Sequence, residues 1–105
     1  MAELVWITFD QFSGRVGEEF VVRLDPDTEV RTELAEATES SLLGGPGPEG
    51  QQRHQFSLVF RGPAEPTLGQ GIHSVEHPEL GELGLFLVPI GPGPDGRPQY
   101  QSLFA

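Results

Sequence analysis

The chain has 105 residues, and its 16 acidic residues against 6 arginines and no lysine give a formal net charge of -10. This length predicts one domain, residues 1–105, with a single hydrophobic core. The absence of cysteine excludes a disulfide framework and a thiolate metal site. The negative charge repels phosphate groups, so we expect no nucleic-acid partner and no contact with an anionic membrane surface.

The N-terminal residues contain no basic region followed by a long apolar run, so the sequence predicts no signal peptide. The longest apolar run, residues 85–90, is far shorter than the about 20 residues that a membrane-spanning helix requires. We therefore expect a soluble protein that is cytoplasmic at synthesis and has no transmembrane segment.

The first predicted element is a short helix over about residues 9–15. Thr8 and Gln11 have the spacing of a capping box, in which the two side chains bond backbone N–H groups of the first turn. Phe9, Phe12 and Val16 have the near-helical spacing of residues that share one helix face. The rest of the chain has the period of strands instead.

Clusters of the 14 glycines and 10 prolines cut that remainder into short segments, as in an all-β domain. Alternating apolar residues mark four strands, at residues 20–24, 30–34, 56–60 and 100–104. A shift of phase toward Ala35 and Ala37 indicates a β-bulge, and the continuous apolar run at 85–88 indicates a strand covered on both faces. We expect an all-β fold, a small six-stranded barrel or sandwich with one short N-terminal helix.

Residues 73–77 read His-Ser-Val-Glu-His, which matches the H-x-x-E-H pattern of one class of zinc peptidases. Pro78 disfavours the helix that this pattern requires. On a strand, His73 and His77 share a face but lie about 13 Å apart, at ~3.3 Å per residue, which is too far for one zinc ion. The sequence predicts instead that residues 77–81 form a turn, held by a bond from the imidazole to a backbone carbonyl. A metal-dependent hydrolase, which needs His54 to converge with both histidines, is a remote alternative.

No residue is assigned a catalytic, cofactor-binding or metal-binding role. Paired carboxylates such as Glu79 and Glu82 lie in predicted turns, where water solvates both, whereas acid–base catalysis requires one of them in an apolar pocket. The Gly/Pro-rich loops at 44–50 and 91–96 lack a phosphate-binding pattern, and proline removes the N–H donors that such a loop needs. We therefore predict a protein without enzymatic activity and without a cofactor.

Three aromatic residues near the termini are the candidate contacts with a partner: Trp6, Tyr100 and Phe104. Trp6 lies in the apolar segment 4–7, and tryptophan is enriched at interface hot spots. The alternative is that this segment is a core or edge strand whose Trp6 packs on residues 56–60. If the C-terminal segment is an edge strand, it can pair with another chain by β-augmentation.

Several segments carry a family resemblance as a set, at residues 12–20, 55–63, 68–71, 75–81 and 85–89. Together they resemble a family of short bacterial all-β proteins catalogued only as a domain of unknown function. The resemblance covers nearly the whole chain. It implies a stand-alone β-protein without assigned catalytic residues, often encoded near phage-tail-like or tail-collar proteins.

The predicted function is therefore that of a non-enzymatic structural or protein–protein interaction subunit. It would be an accessory protein of a larger bacterial or phage-tail-like assembly, acting through sheet edges and Pro/Gly loops on a protein partner or on itself. The alternative is a small-ligand-binding β-barrel whose mouth is lined by the loop at 62–71 and by the histidines.

Overall fold

The computed structural model describes residues 9–43, 54–65 and 67–104. These residues form one helix, α1 (Asp10–Ser13), and six strands: β1 (Glu19–Asp25), β2 (Thr28–Leu43), β3 (His54–Arg61), β4 (Gly71–His77), β5 (Gly81–Pro92) and β6 (Pro98–Phe104). The predicted all-β fold with one short N-terminal helix is confirmed. In this part of the chain, no helix is long and apolar enough to cross a membrane.

The six strands form a closed antiparallel barrel in the order β1-β2-β3-β6-β5-β4. Each described strand pairs with two neighbours, and β4 returns to β1 to complete the ring. Closure decides between the barrel and the sandwich that the sequence left open. It also satisfies the backbone groups that an edge strand would expose.

The core fills the inside of the barrel with the inward residues of every strand. Helix α1 contributes Phe12, which is fully buried and stacks on Phe20 with ring centroids 6.0 Å apart. Leu68 belongs to the same core cluster, and its backbone N–H donates to the Tyr100 hydroxyl at 3.0 Å. One buried polar residue, Thr32, is satisfied because its hydroxyl donates to the carbonyl oxygen of Phe20 at 2.6 Å.

The β-bulge predicted in β2 is present. Leu34 pairs with Phe60 and Glu36 pairs with Val59, so Ala35 is the extra residue on the longer strand. The extra residue changes the alternation, which brings Ala37 to the inward side, where it packs against the core. The phase shift in the sequence therefore had a structural cause.

The helix is shorter than predicted, because α1 ends at Ser13 instead of continuing to residue 15. Gly14 follows it, and glycine disfavours helix by about 1 kcal/mol relative to alanine. The Arg15 backbone N–H donates to the carbonyl oxygen of Phe12, and the Arg15 Nε donates to the carbonyl oxygen of Gln11 at 2.9 Å. The residue before the helix, Phe9, makes no side-chain cap, and Thr8 of the predicted capping box lies outside the described residues.

The prediction that residues 85–88 are covered on both faces is wrong. Leu85 and Leu87 point into the core, whereas Phe86 between them is 48% exposed. A strand of a closed barrel has only one buried face, and α1 packs through Phe12 into the core. The apolar residues on the outer side of β5 therefore remain at the surface.

Candidate functional site

The outward residues of β4, β5 and β6 form an exposed apolar surface. Ile72 is 78% exposed, Phe86 48%, Ile90 46% and Leu103 71%. We call the surface formed by Ile72, Phe86, Val88, Ile90 and Leu103 the apolar face. Ile72 and Phe86 are directly opposite each other on neighbouring strands, so their side chains form a cross-strand pair.

The apolar face is also free of charge. Alternation places Gln99 and Gln101 on the outward side of β6, beside Leu103, and Val88 pairs with Gln101. On β5, the outward position next to Phe86 is Gly84, and Ile72 lies over it. The nearest outward carboxylates on these strands, Glu76 and Glu82, pair with each other close to the β4–β5 turn. An uncharged surface is notable in a chain with a net charge of -10.

The outer side of β1–β3 has the opposite character, and we call it the carboxylate-rich side. Its outward residues include four glutamates, Glu19, Glu29, Glu33 and Glu36. Its arginines form ion pairs within the chain: Arg23 with Glu29 at 2.6 Å, Arg61 with Glu33 at 3.2 Å, and Arg31 with Glu19 at 3.7 Å. These cations are therefore already neutralised by neighbouring carboxylates.

The two halves of the barrel, β1–β3 and β4–β6, meet at two ladders, and the ladder between β1 and β4 is short, with three residue pairs. Charged side chains cross this short ladder. Arg23 donates to Glu76 at 3.0 Å, and Arg15 donates to Glu79 at 3.1 Å. We call these contacts, together with the His77–Glu18 bond at 2.7 Å, the β1–β4 seam. They reinforce the place where the barrel closes.

His77 is the buried centre of that seam. Its Nδ1 accepts the backbone N–H groups of Glu79 and Leu80 at 3.1 and 3.3 Å, so the ring proton is assigned to Nε2, which donates to the Glu18 carboxylate. The hydrogen bonds from His77 and then from Arg15 lower the pKa of Glu18 below its ordinary value. The predicted turn is present, but the predicted bond to a backbone carbonyl is wrong, because the imidazole accepts N–H groups.

The zinc-peptidase pattern has no metal-binding geometry in the part of the chain that is described. His73 and His77 both lie on β4, and His73 Nε2 bonds the carbonyl oxygen of Gly69 at 2.7 Å. Both ring nitrogens of His77 already make hydrogen bonds: Nε2 donates to Glu18, and Nδ1 accepts the backbone N–H groups of the following turn. No three His, Asp or Glu side chains among the described residues could hold a metal ion, and the side chain of His54 lies outside them.

The predicted partner contacts fall in different environments. Tyr100 is 2% exposed in the core, and β6 pairs with β3 and with β5, so the edge-strand condition for the C-terminal segment is not met. Phe104 is half-buried and stacks on Phe56 with centroids 4.5 Å apart. Trp6 lies outside the described residues. Contact of Trp6 and Phe104 with a partner stays a prediction.

One open pocket of about 360 Å³ lies between residues 67–68 and the β5–β6 hairpin. Its apolar lining includes Leu68, three prolines and the Tyr100 ring, and the prolines are Pro89, Pro92 and Pro98. Part of the loop at 62–71 therefore lines a pocket, while ligand binding by the barrel stays a prediction. Of the histidines whose side chains are described, neither His73 nor His77 lines it.

Sequence reasoning missed the apolar face. The signal was present in the continuous run at 85–88 and in the isolated Ile72 and Leu103. The sequence predicts that the run at 85–88 is buried, because a continuous apolar run is typical of a strand that is covered on both faces. The same run also occurs in a strand whose outer face is exposed. Only the neighbours of β5 decide between the two.

These observations define a class of protein: a small closed antiparallel barrel with an exposed, uncharged apolar wall. Residues 7–104 match the model of a family described as a domain of unknown function, DUF6916, and the chain belongs to that family. No curated protein and no solved structure matches the chain. The expectation of a family without an assigned function is confirmed.

Proposed function

We propose that the protein is a non-enzymatic interaction subunit, a structural or accessory component of a larger assembly, and that it binds protein through the apolar face. The observation that carries this proposal is the exposure of Ile72, Phe86, Ile90 and Leu103 on one uncharged wall. The finer proposal, a bacterial and phage-tail-like assembly, is supported by the family resemblance read from the sequence.

The exposed area is large enough to matter for binding. Four apolar side chains, each about half exposed or more, form a patch on the order of a few hundred Å². The largest apolar patch on a typical soluble monomer covers about 300–600 Å² and is often functional. Covering it contributes roughly 25 cal/mol per Å² of apolar surface removed from water, before the costs of association.

The binding mode differs from the one that the sequence suggested. Sheet edges were expected to carry the interaction, whereas each described strand already has two partners. The wall of the barrel replaces the edge as the contact surface. The Pro/Gly-rich loop at 91–96 keeps its proposed role, because it directly follows Ile90 at one end of the apolar face.

Photo-crosslinking in cells of the native host tests this proposal. Replacing Ile72 or Leu103 with a photoreactive phenylalanine analogue should give protein adducts. The matched control is Val16, which is 52% exposed but lies between α1 and β1, away from the apolar face. The proposal fails if positions 72 and 103 give no adduct, or if position 16 gives adducts of the same yield.

A second candidate function is favoured by the pocket. Its volume of about 360 Å³ lies within the range of ligand sites, about 300–1,000 Å³. The proline and aromatic lining suits a small apolar molecule. Indole is a suitable probe, and saturable NMR shifts at Leu68 and Tyr100 should disappear in Thr67→Trp, where the larger ring fills the pocket. Shifts that do not saturate would contradict ligand binding.

A further inference from the structure

We infer that the partner on the apolar face is a second copy of this chain, packed face to face across a two-fold axis near Phe86. The inference rests on the proposed function and adds the identity of the partner to it. Three properties of the face carry the inference: its lack of charge, its arrangement across three strands, and its size.

Charge selects the face through which two copies can meet. Each chain carries a formal net charge of -10, so two copies repel each other across most approaches. Contact through the carboxylate-rich side would set Glu19, Glu29 and Glu33 of one copy against the same residues of the other. Contact centred on Phe86 surrounds the apolar residues with glutamine, glycine and serine, and the nearest outward carboxylates, Glu76 and Glu82, lie four residues along their strands from Ile72 and Phe86. A basic partner would instead bind the carboxylate-rich side, where its charge is opposite to that of the glutamates.

The arrangement of the face suits a two-fold axis. Phe86 is on the middle strand, Ile72 is its direct partner on β4, and Leu103 is on β6, two residues beyond the pair Val88–Gln101. A two-fold axis that runs parallel to β5 and passes over Phe86 places Ile72 of one copy against Leu103 of the other, on both sides at once. Such self-complementarity is what an isologous contact requires. The two outward sheet faces would then pack about 10 Å apart, as sheets do.

The size of the face also fits. A standard interface buries about 800 Å² on each partner, with an apolar centre and a polar rim. The exposed apolar residues supply the centre, and Gln99 and Gln101 on β6 supply an uncharged rim. The barrel measures 41 × 35 × 23 Å, so one of its sides has room for such a contact.

Light scattering on the purified full chain over a range of protein concentrations tests the inference. The expected result is a mass twice that of one chain. Added sodium chloride should strengthen the dimer, because it screens the repulsion between two acidic chains without weakening apolar contact. A mass of one chain at every concentration and salt condition overturns the inference, and so does a dimer that dissociates in salt.

Substitutions then locate the contact. Ile72→Glu and Leu103→Glu should each raise the dissociation constant at least tenfold, because each sets a carboxylate in an apolar interface. Val16→Glu is the matched control, since it adds the same charge at an exposed apolar residue elsewhere, and it should leave the dimer unchanged. Equal weakening by all three substitutions would assign the effect to net charge and overturn the inference.

A mixing experiment tests the two-fold arrangement itself. Ile72→Arg and Leu103→Glu should each be monomeric alone and should form a one-to-one dimer when mixed, because the new arginine meets the new glutamate across the axis. Failure of the mixture to associate overturns the arrangement. If the protein is monomeric but position 103 crosslinks a different protein in cells, this inference fails while the proposed function stands. If neither occurs, both fail.

Discussion

The two halves of the barrel, β1–β3 and β4–β6, are alike inside and opposite outside. Leu34 on β2 and Leu85 on β5 are both buried in the same core. Outside, the first half carries ion-paired carboxylates, and the second carries the uncharged apolar face. Because side chains alternate along a strand, the inward set can specify the fold while the outward set is free to specify solubility or contact.

The comparison also shows where the halves depend on each other. The ladder between β3 and β6 has six residue pairs, whereas the one between β1 and β4 has three. The shorter ladder is the one crossed by the side-chain contacts of the β1–β4 seam. A barrel closed by few backbone bonds gains from such side-chain contacts, and Glu18 and His77 are the best shielded example.

The largest expected effect tests whether the two halves are equally well packed. Leu34→Ala and Leu85→Ala each remove a fully buried side chain and should each lower the free energy of unfolding by about 2–5 kcal/mol. Urea unfolding at low protein concentration measures both without a contribution from association. If Leu85→Ala costs much less than Leu34→Ala, the half with the apolar face is loosely packed and the comparison breaks.

The next effect concerns the seam. His77→Ala should cost about 2 kcal/mol, since it leaves two backbone N–H groups without their acceptor. It also removes the contact with the Phe20 ring, 4.6 Å away between centroids. His73→Ala is the matched control on the same strand, and the loss of its single bond to Gly69 should cost about 1 kcal/mol. If thermal unfolding shows that both substitutions lower the stability equally, His77 contributes no more to the fold than His73.

The seam also predicts acid sensitivity. The pKa of Glu18 is lowered from its ordinary value of 4.5, first by the bond from His77 and then by Arg15. A lowered carboxylate pKa stabilises the fold above 4.5, and that contribution is lost as the pH falls through the lowered value. Glu18→Gln should therefore be less stable than the wild type at neutral pH, and the difference should shrink as the pH falls below 4.5 and through the lowered pKa of Glu18. A difference that is constant with pH in urea titrations would contradict this assignment.

The smallest effect sharpens the contrast between the outer surfaces. Arg23→Gln removes ion pairs with Glu29 and Glu76, which are partly exposed, so it should lower the free energy of unfolding slightly at low salt and less at high salt. Gln101→Ala, on the uncharged half, should show no such salt dependence. Unfolding measured at two salt concentrations compares them. A salt-independent cost for Arg23→Gln would mean that its alkyl packing, and not its charge, matters.

Much of the fold could be predicted, because its signals are local. Alternation in residues 20–24 and 56–60 predicted strands that are present, and the phase shift near Ala35 predicted a real bulge. The helix was predicted too long because Gly14 ends α1 after Ser13, and the Arg15 side chain then donates to the Gln11 carbonyl at that end. The pairing of His77 with Glu18 could not be predicted, since 59 positions separate them in the chain.

The sequence by itself determined the strands in which apolar and polar residues alternate, the inward residues of those strands, and the acidic, lysine-free composition, since these depend on alternation and composition alone. The tertiary structure decided that the sheet closes, that β6 has neighbours on both sides, and that the outer side of β5 is exposed. The reason is physical. Whether an apolar residue on a strand is covered depends on which distant segments pack beside it, and alternation within one segment carries no information about those neighbours.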